Sequence, residues 1–253
     1  MKSILNIAAY RFVHLDDAMG WRERIRAQAM ANSLRGTVLL AEEGINLCLA
    51  GTPADVHAWL GWLRAQGPFE ELDVKQSWSD AVPFGKLRVK VKREIIRMNH
   101  PTIRPHAQRA PSIDANTLAR WLDQGSDDRG RPVALLDTRN DFEVDAGRFR
   151  GAHDWRLTRF SDFPQALLHH RDAFAGHTVV SYCTGGIRCE KAALFMAQAG
   201  VPDVLQLEGG ILKYFEDTGG AHFDGTCFVF DERATLDAAL APVSPAAGDT
   251  ATV

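Results

Sequence analysis

The chain has 253 residues, a formal net charge of -3, 45% hydrophobic and 24% charged residues. That balance excludes a disordered or fibrous protein, and the length calls for two compact units of about 100 to 150 residues. Nowhere do 18 apolar residues run together, the start lacks a leader-like apolar stretch, and the cysteines are four, so a cytoplasmic protein with no membrane contact and no disulfide scaffold is expected.

In chain order, residues 4–13 read as a strand, 16–34 as a helix and 36–41 as a second strand. The turn Glu42-Glu43-Gly44 leads into a third strand at 45–50. Thr52 then suits an N-cap, Pro53 the first helical position, and Asp55 completes a capping-box pattern. Val56, Trp59, Leu60 and Leu63 fall on one face of that helix. A strand at 86–92 closes the set. The order β-α-β-β-α-β predicts a ferredoxin-like (split βαβ) first domain over residues 1–98.

Residues 99–111 carry Pro101, Pro105 and Pro111 with little periodicity, the mark of a semi-rigid linker. Beyond it, helix-like segments at 114–124, 161–173 and 189–199 alternate with apolar runs at 133–137, 178–183 and 204–207. Such alternation predicts an α/β domain over 112–218, a parallel sheet with helices on both faces. Residues 219–240 form an extension, and the small and polar residues 241–253 are expected to be disordered.

Charge is unevenly spread. Between Lys86 and Arg109 stand eight Lys and Arg against Glu94 alone. Strict alternation in Lys86-Leu87-Arg88-Val89-Lys90-Val91-Lys92 sends the four cations to one face and the apolar residues to the core. Lys86, Arg88, Lys90 and Lys92 are therefore a candidate phosphate-binding surface, and a solvated sheet face is the plain alternative. Tyr10 and Phe12, on a neighbouring strand, fit core packing better than base stacking.

The strand Thr178-Val179-Val180-Ser181-Tyr182 runs directly into Cys183, with a helix expected to begin about six residues later. Open α/β sheets place ligands at this end of a strand. In Cys183-Thr184-Gly185-Gly186-Ile187-Arg188 the two glycines permit a tight turn that aims N–H groups at the sulfur, the following helix adds its positive end, and Arg188 adds a charge. All three favour a thiolate, so Cys183 and Arg188 are the candidate catalytic pair rather than packing residues. Cys189 is a candidate resolving thiol or a packing residue. Asp137 and Arg139 stand at the same sheet edge, with Glu143 a candidate partner for an arginine; a structural ion pair is favoured for them. Cys48 and Cys227 read as core. No spacing of Cys and His suits a metal, and no organic cofactor is identifiable.

Leu135-Leu136-Asp137-Thr138-Arg139, Glu143, Gly151-Ala152, the Cys183 loop and Leu207-Glu208-Gly209-Gly210-Ile211 resemble a rhodanese-like domain in order and spacing. Together with Glu42-Glu43-Gly44-Ile45-Asn46, Val89-Lys90-Val91-Lys92, Cys189-Glu190-Lys191-Ala192 and Cys227-Phe228-Val229-Phe230-Asp231-Glu232-Arg233, they look like the bacterial tRNA uridine hydroxylase family. The resemblance implies conversion of the wobble uridine to 5-hydroxyuridine, with molecular oxygen as co-substrate and the anticodon region of tRNA as partner. It maps Cys183 onto the rhodanese active-site cysteine, a persulfide carrier. Longer relatives continue into a cysteine-rich segment that this chain lacks after Arg233, so no zinc module is expected.

Two other readings stand beside it. One is a plain sulfurtransferase carrying sulfur as a cysteine persulfide; the other is a non-catalytic RNA-binding module, against which the intact loop argues. A cysteine phosphatase needs arginine six positions after the nucleophile, where this chain has Cys189.

Overall fold

A computed structural model describes residues 3–243. In β1 (Ile4–Phe12), Leu5, Ile7 and Ala9 turn toward two helices, α1 (Ala18–Ala31) and α2 (Pro53–Arg64), and enter one core with Ile25, Trp59 and Leu63. Asn6, Ala8, Tyr10 and Phe12 take the opposite face. α2 starts where its signals place it: Thr52 Oγ1 accepts from the Asp55 N–H at 3.2 Å and donates to the Asp55 carboxylate at 2.6 Å.

β2 (Arg35–Ala41) and β3 (Gly44–Gly51) follow the expected pattern, but the fourth strand of the split βαβ unit is β4 (Val74–Ser79). It pairs antiparallel with β1. Its sequence, Val-Lys-Gln-Ser-Trp-Ser, has no apolar alternation to announce it. The basic strand β5 (Leu87–Val91) is instead a fifth strand, added parallel to β2 at the far edge in the order β4-β1-β3-β2-β5. The ferredoxin-like arrangement therefore holds, with an extra edge.

The second half contains β6 (Ser112–Ile113), α3 (Ala115–Gln124), β7 (Val133–Asp137), α4 (Asp141–Ala146), β8 (Gly147–Phe149), β9 (His153–Asp154), α5 (Phe163–His170), β10 (Thr178–Tyr182), α6 (Ile187–Gln198), β11 (Val204–Leu207) and α7 (Gly210–Thr218). Five strands make a parallel sheet in the order β6-β11-β10-β7-β9. Alternate residues feed different cores. Leu136 and Val179 join α5 and α6, whereas Leu135 and Val180 join α3 and α7. α6 begins at Ile187, earlier than expected, so Arg188 and Cys189 lie in its first turn. The expected helix at 161–173 is α5 flanked by 3-10 turns.

Residues 99–111 hold turns without helix or strand. Ile103 and Ala110, with Met98 before them, are buried in the second core, so this segment straps the second domain. After α7, β12 (Phe223–Gly225) pairs with β8, and β13 (Cys227–Phe228) pairs with β14 (Thr235–Leu236). The expectation of disorder from 241 fails at its start: Ala241 N–H donates to Asp237, and Val243 N–H to the Thr235 carbonyl. The rest of that segment, 244–253, lies outside the described residues.

The two sheets meet through the helix-free face of the first. Lys191, on α6 and 1% exposed in its side chain, donates to Glu43 at 2.8 Å, Glu94 at 2.6 Å and the Ile96 carbonyl at 2.9 Å. Its ammonium also lies 5.8 Å from the Phe12 ring centre.

Candidate active site

β10 delivers Cys183 to the carboxyl end of the sheet, and the loop after it is shaped from two sides. Gly186 takes φ +97°, a conformation that suits glycine, and begins α6. From the other side, the first turn of α7 donates Ile211 N–H to the Cys183 carbonyl at 2.9 Å and Leu212 N–H to the Thr184 carbonyl at 3.1 Å. Gly210 permits that approach, since a Cβ there would stand 2.4 Å from the Cys183 carbonyl oxygen. With its carbonyls drawn outward, the loop turns the Gly186 N–H onto Cys183 Sγ at 3.1 Å.

Cys183 is wholly buried, as are Cys189 and Cys227. Burial by itself would push the Cys183 thiol up. The Cys189 S–H, the Arg188 charge and the Arg188 and Gly186 amides outweigh it and hold Cys183 well below the ordinary value, so it is the thiolate of the pair. Burial and the neighbouring Cys183 push Cys189 well up, leaving it a neutral thiol beside Thr138 Oγ1 at 3.6 Å.

Arg188 is fixed by Glu143 in a two-pronged ion pair of 2.5 and 2.7 Å, both side chains buried. Glu143 also accepts from Thr184 Oγ1 at 3.2 Å and from the Asn140 N–H at 3.1 Å. One carboxylate thereby ties α4, the cysteine loop and α6 together. Arg188 Nε is buried without a hydrogen-bond partner among the described residues, and the guanidinium charge acts on Cys183. Thr184, Gly185 and Ile187 are half-buried and form the loop's rim.

Asp137 and Arg139 are used otherwise. They pair at 2.6 Å with both side chains fully buried, and Arg139 also donates to the Glu143 and Gly147 carbonyls at 3.1 and 2.7 Å. This pair braces the backbone around α4. Cys48 and Cys227 are neutral thiols, pushed up by burial to about 11 and about 12. No group of three or more Cys, His, Asp or Glu is arranged to hold a metal among the described residues.

The first domain completes the site. Tyr10 donates to Glu190 at 3.3 Å, and its hydroxyl oxygen would stand 2.9 Å from a Cβ built on Gly186. Glu190 in turn accepts from Arg109 at 3.2 Å and Gln206 at 2.9 Å. Tyr10 thus belongs to neither role weighed from sequence: it is the first domain's contact with the cysteine loop. Local spacing does not assign Tyr10 or Thr138 to the loop, because these contacts join chain segments far apart in sequence. The register across the first sheet runs Tyr10, Asn46, Leu39, Lys90, so the basic strand shares the face that docks on the loop. Three strand spacings separate Lys90 from Tyr10, roughly 14 Å. Lys86, Arg88, Lys90 and Lys92 are all exposed.

With this geometry in place, similarity to known proteins becomes informative. Residues 4–95 match the family described as UPF0176 acylphosphatase like domain, and residues 114–217 match the Rhodanese-like domain. A tRNA uridine(34) hydroxylase of Bordetella petrii is 61% identical over 247 residues, covering 98% of each chain. That of Variovorax paradoxus is 63% identical over 236 residues, covering 93% of this chain and 90% of its own. The chain belongs to the tRNA uridine(34) hydroxylase family. The motifs of that family resemblance now have physical roles: Glu43 and Lys191 clasp the domains, Gly209-Gly210 caps the cysteine loop, and Asp231 with Arg233 joins the extension to β4 through Ser77 Oγ at 2.7 Å.

Proposed function

We propose that this chain hydroxylates C5 of uridine 34 in tRNA to give 5-hydroxyuridine, with molecular oxygen as co-substrate and Cys183 as the reacting group. The observation that carries the reading is the near full-length similarity to tRNA uridine(34) hydroxylases, in a chain whose Cys183 is held as a thiolate.

Uracil C5 is not acidic enough to meet oxygen unaided. Addition of the Cys183 thiolate to C6 forms an S–C6 bond and moves an electron pair onto C5 and O4 as an enolate. The loop amides and Arg188 Nε are the local donors for negative charge during that exchange. The C5 enolate and oxygen, with one proton, give a C5 hydroperoxide. Two electrons and two protons from a thiol-class reductant convert it to C5–OH and water. Loss of the C5 proton and departure of the thiolate restore the ring.

The exposed cations of β5 then hold the anticodon backbone on the face that carries Tyr10 to the loop, and a tRNA substrate sets the reaction in the cytoplasm. Incubating purified protein, unmodified tRNA and a thiol reductant with and without oxygen, followed by nucleoside mass spectrometry, tests this. 5-Hydroxyuridine that forms only with oxygen supports the reading; equal amounts without oxygen overturn the co-substrate.

A further inference from the structure

Between the helix-free face of the first sheet, α7 and the extension after Cys227 lies a cleft to which both domains contribute. Asn6, Lys75 and Ser77 line it from the first domain, Thr184 from the cysteine loop, and Phe230 and Arg233 from the extension. We infer that this cleft holds an unstacked uracil base. The inference rests on the proposed tRNA reaction and adds where, and by which atoms, the base is recognised.

Asn6 is the residue that makes the case. It is 3% exposed, and its Oδ1 has no hydrogen-bond partner among the described residues. The amide orientation is fixed by chemistry. Nδ2 donates to the Ser77 carbonyl, which can only accept, and to Ser79 Oγ at 2.9 Å. The Ser79 hydroxyl proton is committed to the Ala81 carbonyl at 2.7 Å, so Ser79 can only accept from Asn6. Oδ1 is therefore an obligate acceptor unmet among the described residues, a costly state for a buried group unless a water or a ligand supplies the donor.

Uracil offers that donor. Its pairing edge reads acceptor, donor, acceptor, with N3–H in the middle, whereas cytosine presents a lone pair at N3. Lys75 supplies donors for a flanking carbonyl, since its ammonium spends one on Asp73 at 3.0 Å. Arg233 is held to Asp231 and Ser77 and walls the cleft. Ala8, Leu212 and Val229 give it apolar sides.

Phe230, 59% exposed, stands at the cleft with its ring 5.3 Å from Phe228 and 6.3 Å from Phe142. An exposed aromatic group beside a polar cleft is the arrangement by which proteins hold splayed bases. It also gives the Phe-Val-Phe of the 227–233 motif a use that core packing does not require.

The test is binding, with no turnover read. Anticodon stem-loop RNAs carrying uracil or cytosine at the target position are titrated into the full chain without oxygen, and affinity is read by fluorescence anisotropy. Wild-type protein is expected to prefer the uracil RNA by about tenfold or more, the range set by leaving one buried polar group unpaired. Asn6→Ala is expected to bring that ratio to about one by weakening the uracil RNA alone. Phe230→Ala, a surface change that leaves the sheet untouched, is expected to weaken both RNAs about fivefold or more. An unchanged uracil preference in Asn6→Ala, no preference in wild type, or unchanged affinities in Phe230→Ala overturns the inference. Urea unfolding of each variant, with an unchanged midpoint, reports that the fold is kept. Because hydroxylation is scored separately, uracil preference without 5-hydroxyuridine sinks the reaction and spares the cleft, and the reverse sinks the cleft alone.

Discussion

Cys183 is held as a thiolate by groups that were only partly legible in sequence. The glycines and Arg188 pointed to a depressed thiol, and the structure adds the Cys189 S–H and the outward pull on the loop carbonyls. The pKa of a thiol with these partners is about 5, against an ordinary 9. Since the thiolate is the conjugate base and the nucleophile, alkylation of Cys183 is expected to rise with pH around 5 and to be flat at neutral pH. Arg188→Gln with Glu143→Gln removes both charges together, leaving no buried carboxylate unpaired. It is expected to move that rise up by about one pH unit or more. Rates of iodoacetamide labelling across pH check both statements, and a rise centred near 9 in wild type contradicts them. Asp137 and Arg139 teach the opposite lesson. Their position beside the site was legible, but only the distances reveal that Arg139 is turned onto Asp137 and the Glu143 and Gly147 carbonyls.

At the scale of elements, alternation identified β1, β2, β3 and β5 because each divides cleanly into a core face and an outer face. β4 escaped because Lys75, Gln76, Ser77 and Trp78 are polar or half-exposed on an edge strand, where pairing to β1 replaces burial as the organising force. That placement matters, since it moves the basic strand to the opposite edge, open to solvent. Replacing Arg88 and Lys90 by Gln is expected to reduce the slope of log affinity for tRNA against log salt by about one for each side chain. Filter binding at several salt concentrations measures it, and an unchanged slope removes β5 from the interface. α6 carries a second role in Lys191. Lys191→Met leaves Glu43 and Glu94 facing one another without their cation. Allowing for their partial exposure, a loss of about 2 to 3 kcal/mol is expected in urea unfolding. A shift of under about 0.5 kcal/mol contradicts the clasp.

Over the whole molecule, the two fold classes followed from element order, since β-α-β-β-α-β and alternating helices with parallel strands each admit few arrangements. How the domains meet did not follow, because Tyr10, Lys191 and Arg233 act across separations in sequence that no local pattern encodes. The domains meet at the cysteine loop: the first brings Tyr10 to the Gly186 turn and the basic strand to the same face, and the second holds the thiolate. The most direct test compares wild type with Cys183→Ser in forming 5-hydroxyuridine at position 34 of unmodified tRNA, under oxygen, by mass spectrometry of the isolated anticodon fragment. Formation by wild type and a loss of at least about a thousandfold in the variant are expected if the sulfur forms the covalent bond. Equal rates in the two proteins contradict Cys183 as the reacting group.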